Sequence, residues 1–143
     1  MQTLFRTVQK PTAGQSVGLR VMLLSENRDG PTAQRLAEYG SLVDVHRDVD
    51  LALSGIVTDP IGYDLVVMDC DGIGGVDGAE AVIAALIAAD ARMRVILVSQ
   101  EFDKPAYPFG LRAAVCLPAS VPDEGFRQGF DHVLRDRVPV TLM

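Results

Sequence analysis

Lysine is scarce in this chain. Lys10 and Lys104 are the only lysines among the 143 residues, and the formal net charge is −6. A surface that binds nucleic acid needs clustered Lys and Arg side chains to replace the counterions of the phosphate backbone. We therefore expect no nucleic-acid partner.

Long apolar runs are also missing. No stretch approaches the roughly 18 consecutive apolar residues of a membrane-spanning helix. Residues 1–18 lack the apolar core of a secretory signal and are predicted to form a polar, flexible tail. We expect a soluble protein that does not associate with a membrane.

The chain has only two cysteines, Cys70 and Cys116. They are predicted to close the third and fifth strands of a sheet, so that two strand spacings, about 10 Å, separate them. This separation is beyond the reach of a disulfide. Reduced thiols are typical of cytoplasmic proteins, and the sequence therefore predicts a cytoplasmic location.

The length of 143 residues, 48% of them hydrophobic, predicts one domain with a substantial core. We expect this domain to span residues 19–137. Residues 138–143 are predicted to be a short C-terminal tail. Because it contains Val140, Leu142 and Met143, the tail is expected to pack on the domain or on a partner.

Five short apolar runs alternate with helical patterns along the domain. They predict strands at residues 19–24, 42–46, 64–69, 94–99 and 113–116. This alternation predicts an α/β fold in which a flavodoxin-like, doubly wound, five-stranded parallel sheet has the strand order 2-1-3-4-5. The third and fourth runs carry little polar alternation, as is typical of strands buried on both faces.

Helices are predicted after each strand except the fourth. The first helix begins at Gly30-Pro31 and turns Ala33, Leu36 and Ala37 inward. The second covers residues 49–57 and the third covers residues 79–90. The last helix follows a capping box at residues 120–123. The last helix is expected to bury Phe126, Phe130, Val133 and Leu134. Residues 100–110 contain two prolines and no apolar stripe. The fourth helix is therefore expected to be short or missing, and this connection irregular and mobile.

Asp69 ends the predicted central strand, at the edge where open α/β sheets place their ligand sites. The glycines of residues 72–78 follow and predict a loop that folds closely around whatever binds the acid. The stretch 63–78 resembles the third strand and following loop of a response-regulator receiver domain (CheY-like), and the resemblance in topology covers residues 19–136. It implies that Asp69 is the phosphoacceptor and that Ser99 binds a phosphoryl oxygen.

The resemblance is incomplete at the site. Receivers usually end the first strand with two adjacent acids, and here Ser25 and Glu26 occupy those positions. Asp71 matches a position whose backbone carbonyl helps to hold a metal, and it adds an acid that the family usually lacks there. The family lysine falls on Leu117 and the aromatic switch residue on Ala114. These departures predict a degenerate, atypical receiver.

The resemblance implies a function in two-component or phosphorelay signal transduction. We expect a single-domain pseudo-receiver that is not an enzyme and acts mainly by binding a histidine kinase, a phosphotransfer protein or a downstream regulator. It is expected to be a monomer or a homodimer. Weak binding of Mg²⁺ is predicted at Glu26, Asp69 and Asp71, because this cation prefers oxygen ligands.

Two alternatives use the same residues. In the first, the receiver is a phosphoprotein that still catalyses its own phosphorylation with Glu26, Asp69, Ser99 and Mg²⁺. Arg28 or Lys104 would then replace the missing lysine, because both are basic residues in loops on the same side of the sheet.

The second alternative is a Ca²⁺-binding module in the acidic loop 69–80. Asp69, Asp71, Gly74, Asp77 and Glu80 fall at EF-hand positions, but Ile73 replaces an oxygen ligand. An EF-hand also needs a helix before its loop, and the preceding residues predict a strand. The same glycines resemble a dinucleotide-binding loop, which belongs after the first strand of a fold and would not carry two acids.

Overall fold

The computed structural model describes residues 18–59, 62–89, 93–108 and 114–141, with side chains described up to residue 135. Residues 1–17 of the predicted N-terminal tail and residues 142–143 of the predicted C-terminal tail lie outside these ranges. In the described part of the chain, no helix combines the length and the apolar character that a membrane span requires.

Five parallel strands form one sheet in the order β2-β1-β3-β4-β5, which confirms the predicted α/β, flavodoxin-like fold. The strands are β1 Arg20–Leu24, β2 Leu42–His46, β3 Leu65–Asp69, β4 Arg94–Ser99 and β5 Val115–Pro118. The last strand continues beyond its predicted end at Cys116, because Leu117 and Pro118 pair with the final residues of β4. Strands β1, β3 and β4 are almost entirely buried because helices cover both faces of the sheet.

Among the described residues, four helices accompany the sheet: α1 Pro31–Glu38, α2 Val49–Thr58, α3 Gly75–Ala88 and α4 Asp123–Thr141. A short 3₁₀ turn, Cys70–Gly72, joins β3 to the loop before α3. The predicted start of α3 at Ala79 is wrong. Gly74 and Gly75 adopt φ values of 101° and 76°, which are favourable for glycine, and the chain therefore turns sharply enough for the helix to begin at Gly75.

The inner face of α1 differs from the prediction at one position. Thr32 and Leu36 are buried and Ala33 is partly buried, whereas Ala37 is exposed. Residues four apart lie on one face of a helix, so the row from Thr32 to Leu36 faces the sheet. The apolar pattern missed Thr32 because threonine is polar. Its side chain can nevertheless be buried, because its hydroxyl has a partner in the site described below.

Helix α4 begins later and ends later than predicted. The backbone N–H of Phe126 donates to the carbonyl of Pro122 (3.0 Å), so the helix starts after Pro122 and the predicted capping box from Ser120 does not form. The Asp123 carboxylate instead pairs with Arg35 of α1 at 2.8 Å. The helix continues to Thr141, beyond Arg137, where the fold was predicted to finish.

Two hydrophobic clusters lie on opposite faces of the sheet. The first is covered by α1 and α4 and contains the predicted buried residues of α4, which are Phe126, Phe130, Val133 and Leu134. The second is covered by α2 and α3. Cys70 belongs to the second cluster, Cys116 packs against it, and both cysteines are free, as predicted.

The connection between β4 and β5 is irregular, as predicted, and its described residues 100–108 and 114 contain no helix. Ala106 forms an antiparallel bridge with Cys116, with hydrogen bonds of 2.8 and 3.0 Å. The Pro108 carbonyl lies 2.9 Å from Nε2 of the buried His132, whose ring is 5.8 Å from that of Tyr107. The connection is thus held against β5 and α4, and its mobility stays a prediction.

Candidate functional site

Asp69 lies at the carboxyl edge of the sheet, in register with Val98 of the neighbouring strand β4. Its Oδ1 atom accepts a hydrogen bond from Oγ1 of Thr32 at 2.9 Å. Thr32 reaches this carboxylate because α1 begins at Pro31, at the same edge of the sheet. The Asp69 residue is partly exposed, and it is the strand-ending acid that the sequence predicted at this position.

Asp71 is engaged through both carboxylate oxygens. Its Oδ1 accepts a hydrogen bond from Oγ of Ser99 at 2.7 Å, and its Oδ2 accepts one from the backbone N–H of Gln100 at 3.0 Å. We refer to these two contacts as the Asp71 clamp. Ser99 is fully buried, and its Oγ also accepts a hydrogen bond from the backbone N–H of Glu101 at 3.0 Å.

A second acid, Glu101, lies just beyond the end of β4 and contacts the loop that contains Asp71. Oε2 of Glu101 accepts a hydrogen bond from the backbone N–H of Val76 at 3.0 Å. This N–H is one of the unpaired donors of the first turn of α3, where the helix dipole favours a negative charge. The end of β4 is therefore tied to the β3–α3 loop at two points, through Asp71 and through Glu101.

Ser25 and Glu26, at the end of β1, point in different directions. Ser25 is buried, and its Oγ accepts a hydrogen bond from the backbone N–H of Asn27 at 3.1 Å. Glu26 is exposed and lies against Gly72, where an added Cβ would come within 2.8 Å of the Glu26 Cγ. Gly72 thus allows the Glu26 side chain to lie over the loop that follows Asp69.

The predicted cation ligands do not form a metal site. No group of three or more His, Cys, Asp or Glu side chains that could hold a metal ion occurs among the residues whose placement is described. The hydrogen bonds of the clamp occupy Asp71, which leaves Glu26 and Asp69 of the predicted set. Weak Mg²⁺ binding at Glu26, Asp69 and Asp71 therefore stays a prediction.

The EF-hand hypothesis lacks its structural context as well. Leu65–Asp69 is a strand, whereas an EF-hand requires a helix before its loop. The Asp71 carboxylate, which that motif would use as a ligand, is bound to Ser99 and Gln100. The structure therefore gives no support to a Ca²⁺ loop at residues 69–80.

Within the described part of the chain, the two basic residues suggested as replacements for a site lysine form no hydrogen bond or ion pair with Asp69. Arg28 lines an open pocket of about 560 Å³ beside β2, together with His46 and Tyr63. Lys104 is exposed in the β4–β5 connection. Across residues 18–59, 62–89, 93–108 and 114–135, neither side chain makes an ion pair with a carboxylate.

Leu117 and Ala114 stand where the resemblance implied a lysine and an aromatic ring. The Leu117 side chain is fully buried in the first hydrophobic cluster, and Ala114 packs against the second. Neither side chain carries a charge or a ring that could respond to a phosphoryl group. The side chains at these two positions therefore pack in the hydrophobic core.

The thiol of Cys70 lies between the two acids in sequence. Burial, aided by the nearby charges of Asp71 and Asp69, raises its pKa from 9.0 to about 12, although a backbone hydrogen bond with Val98 opposes the rise. A thiol of this kind stays protonated at neutral pH, and the thiolate is the nucleophilic form. Cys70 therefore has a packing role at the edge of the site.

Two contacts were missed by the sequence patterns, those of Thr32 and Glu101. For Thr32, the available signal was a polar residue in the first turn of a helix that starts at the carboxyl edge of a parallel sheet. For Glu101, the signal was an acid two residues after a predicted strand, at the edge of the sheet where α3 begins.

Comparison with known proteins shows similarity at the level of structure. No protein-family model matches the chain, and no curated protein matches it. One similar solved structure is the N-terminal domain of a response regulator/sensory box/GGDEF three-domain protein from Carboxydothermus hydrogenoformans. It has 21% sequence identity and a TM-score of 0.60, and the match covers 81% of this chain and 94% of that one.

A second similar structure is a fusion that contains amino acids 181–211 of the yeast Spc42 trimeric coiled coil. It has 18% identity and a TM-score of 0.61, and the match covers 82% of this chain and 78% of that one. At these identities the similarity concerns the fold. The chain therefore has a receiver-like fold.

Proposed function

We propose that this chain is an atypical receiver of two-component signal transduction that acts mainly by binding other signalling proteins. The observation that carries the proposal is the division of roles between two acids. Asp69 ends the central strand at the ligand edge of a receiver-like fold, while Asp71 accepts the hydrogen bond of the Ser99 hydroxyl beside it. The phosphoacceptor position is kept, but its neighbouring donor is already used within the protein.

Charge supports a binding role over catalysis. Glu26, Asp69 and Asp71 place three carboxylates close to this edge, and a phosphoryl donor would bring further negative charge. Phosphoryl transfer depends on cations that neutralise this repulsion. Leu117 supplies none, so we expect no enzymatic activity and at most weak Mg²⁺ binding.

The partners that fit this proposal are a histidine kinase, a phosphotransfer protein or a downstream regulator, in the cytoplasm. Such proteins would recognise the fold and its carboxyl edge. The net charge of −6 argues against direct action on nucleic acid. The chain is proposed to act as a monomer or a homodimer.

The test is a binding panel. Purified histidine-kinase dimerisation domains, phosphotransfer proteins and regulator domains encoded by the same genome are titrated against the full chain by calorimetry. We expect at least one to bind with micromolar affinity, and the Asp69→Asn variant to bind it equally well. This variant is a suitable control because the amide keeps an oxygen for Thr32.

Two results would contradict the proposal. The first is that no member of the panel binds more tightly than millimolar. The second is that binding requires phosphorylation, detected by intact mass after treatment with a small phosphodonor and lost in Asp69→Asn. That second result would favour the alternative of a phosphorylation-competent receiver.

A further inference from the structure

The end of β4 provides two hydrogen-bond donors next to Asp69. Ser99 directly follows Val98, which pairs with Asp69 across the strand boundary, and the backbone N–H of Gln100 comes next. Neighbouring strands are about 4.8 Å apart. An anionic group carried by the Asp69 carboxylate would therefore come within reach of these two donors.

Asp71 already binds both donors. Its contact with Ser99, at 2.7 Å, has the length of a charge-assisted hydrogen bond, and the contact with Gln100 engages its other oxygen. The two donors thus hold a carboxylate in the way that they would hold two oxygens of a tetrahedral anion.

The two sides of the clamp differ in their access to water. Asp71 is exposed, so its carboxylate can turn outward and be hydrated. Ser99 is fully buried, so its hydroxyl needs a partner inside the protein. A buried donor left without an acceptor costs about 1–3 kcal/mol. Loss of Asp71 is therefore unfavourable by about this amount unless another acceptor takes its place.

We infer that the Asp71 clamp is an autoinhibitory contact, in which a side chain of the protein competes with an anion on Asp69 for Ser99 and Gln100. This inference rests on the proposed role of Asp69 as the anion-bearing position. Like charge adds to the competition, because the incoming anion and the Asp71 carboxylate would repel each other. Occupation of Asp69 and closure of the clamp exclude each other.

Release of Asp71 would also affect the segment beyond β4. The Oγ of Ser99 accepts from the N–H of Glu101, and the Glu101 carboxylate binds the N–H of Val76 at the start of α3. A change in the position of Ser99 therefore acts on a chain of contacts that ends at a helix. Opening of the clamp is expected to move signals of residues 99–101 and 75–76 together.

The experiment measures binding of beryllofluoride, in the presence of magnesium chloride, to the full chain by ¹H–¹⁵N NMR. We expect Asp71→Ala to bind the probe about tenfold more tightly than the native protein, which corresponds to the loss of one competing charged hydrogen-bond acceptor. Asp71→Asn is a second variant. It keeps one oxygen for Ser99 and should show a smaller gain.

The matched control is Asp77→Asn, which removes one negative charge from the first turn of α3 without touching the clamp. We expect it to change the affinity less than about threefold, the effect of one exposed charge. Asp69→Asn should abolish binding at this edge in both the native and the Asp71→Ala background.

Several results would overturn the inference. They are an unchanged affinity in both Asp71 variants, an equal gain in Asp77→Asn, and the absence of binding in every variant. A native-like ¹H–¹⁵N spectrum of Asp71→Asn would show that a negative result does not come from misfolding. None of these outcomes affects the partner panel, so the proposed binding function and the clamp can fail separately.

Discussion

The carboxyl edge of the sheet has two halves that differ in how completely their polar groups are paired. The acceptor half, formed by Glu26, Thr32 and Asp69, contains one hydrogen bond between side chains. The donor half, formed by Asp71, Ser99, Gln100 and Glu101, contains four hydrogen bonds that include a bond to the start of α3. The difference shows that the partly exposed Asp69 has one side-chain partner, while the hydrogen-bond donors beside it are already satisfied within the protein.

The two halves also differ in how they are built. The donor half joins neighbouring segments, because β4 pairs with β3 and their carboxyl ends meet. The acceptor half depends on α1, which approaches Asp69 only through Thr32. We therefore expect the donor half to contribute more to stability than the acceptor half, and the following variants test this in decreasing order of effect.

The largest effect is expected for Ser99→Ala. It removes a hydroxyl that donates to Asp71 and accepts from the N–H of Glu101, and a bond to a charged group contributes about 1.5–3 kcal/mol. We predict that the free energy of unfolding falls by about 2 kcal/mol in urea denaturation. Ser54→Ala on the exposed side of α2 is the control. A loss no larger than that of the control would remove the distinction between the halves.

Thr32→Val should have a smaller effect. Valine has nearly the same shape and removes the bond to Asp69, but this carboxylate is partly exposed and can bind water instead. We predict a loss of about 1 kcal/mol. Thr32→Ser keeps the hydroxyl and should recover most of the lost free energy of unfolding. If Thr32→Val lowers the free energy of unfolding more than Ser99→Ala does, the acceptor half contributes more to stability than the donor half.

Glu101→Gln tests the charge in the donor half separately from its hydrogen bond. Glutamine can still accept from the N–H of Val76, so only the interaction of the charge with the N-terminus of α3 is lost. The expected loss is about 0.5 kcal/mol at low salt and less at high salt. A loss that does not depend on salt would mean that the hydrogen bond itself was broken.

The smallest difference between variants is expected at Cys70, which lies between Asp69 and Asp71 in sequence. Its raised pKa means that the unfolded chain loses the thiol proton first, so stability should fall as the pH rises from 9.0 towards about 12. Asp71 contributes more to this shift than Asp69 does. The pKa of the Cys70 thiol should therefore fall slightly more in Asp71→Asn than in Asp69→Asn, as measured by ¹³C NMR of the cysteine Cβ in the folded protein. The opposite order would place Asp69 as the nearer charge.

The sequence predicted the sheet well because short apolar runs encode buried parallel strands directly. The strand order and the buried face of α4 follow from this pattern and from the handedness of the connections. Helix ends were predicted less well. The positive φ angles at Gly74 and Gly75 moved the start of α3, and Pro122 replaced Ser120 at the start of α4.

The site was predicted in position but not in its contacts. Asp69 and Ser99 meet at the edge because the ends of adjacent strands must meet. The clamp could not be predicted, because whether Asp71 points towards Ser99 or into water depends on the path of the 3₁₀ turn. Thr32 was missed because a search for apolar periodicity passes over a buried polar residue.

The bridge between Ala106 and Cys116 has a consequence for assembly. It occupies the outer main-chain groups of β5 at Cys116, so further strands cannot be added regularly along that side. A sheet that is open on both sides can recruit copies of itself without limit and form a fibre. A sheet blocked on one side leaves the β2 edge for such pairing, and growth through that edge alone would end at a pair.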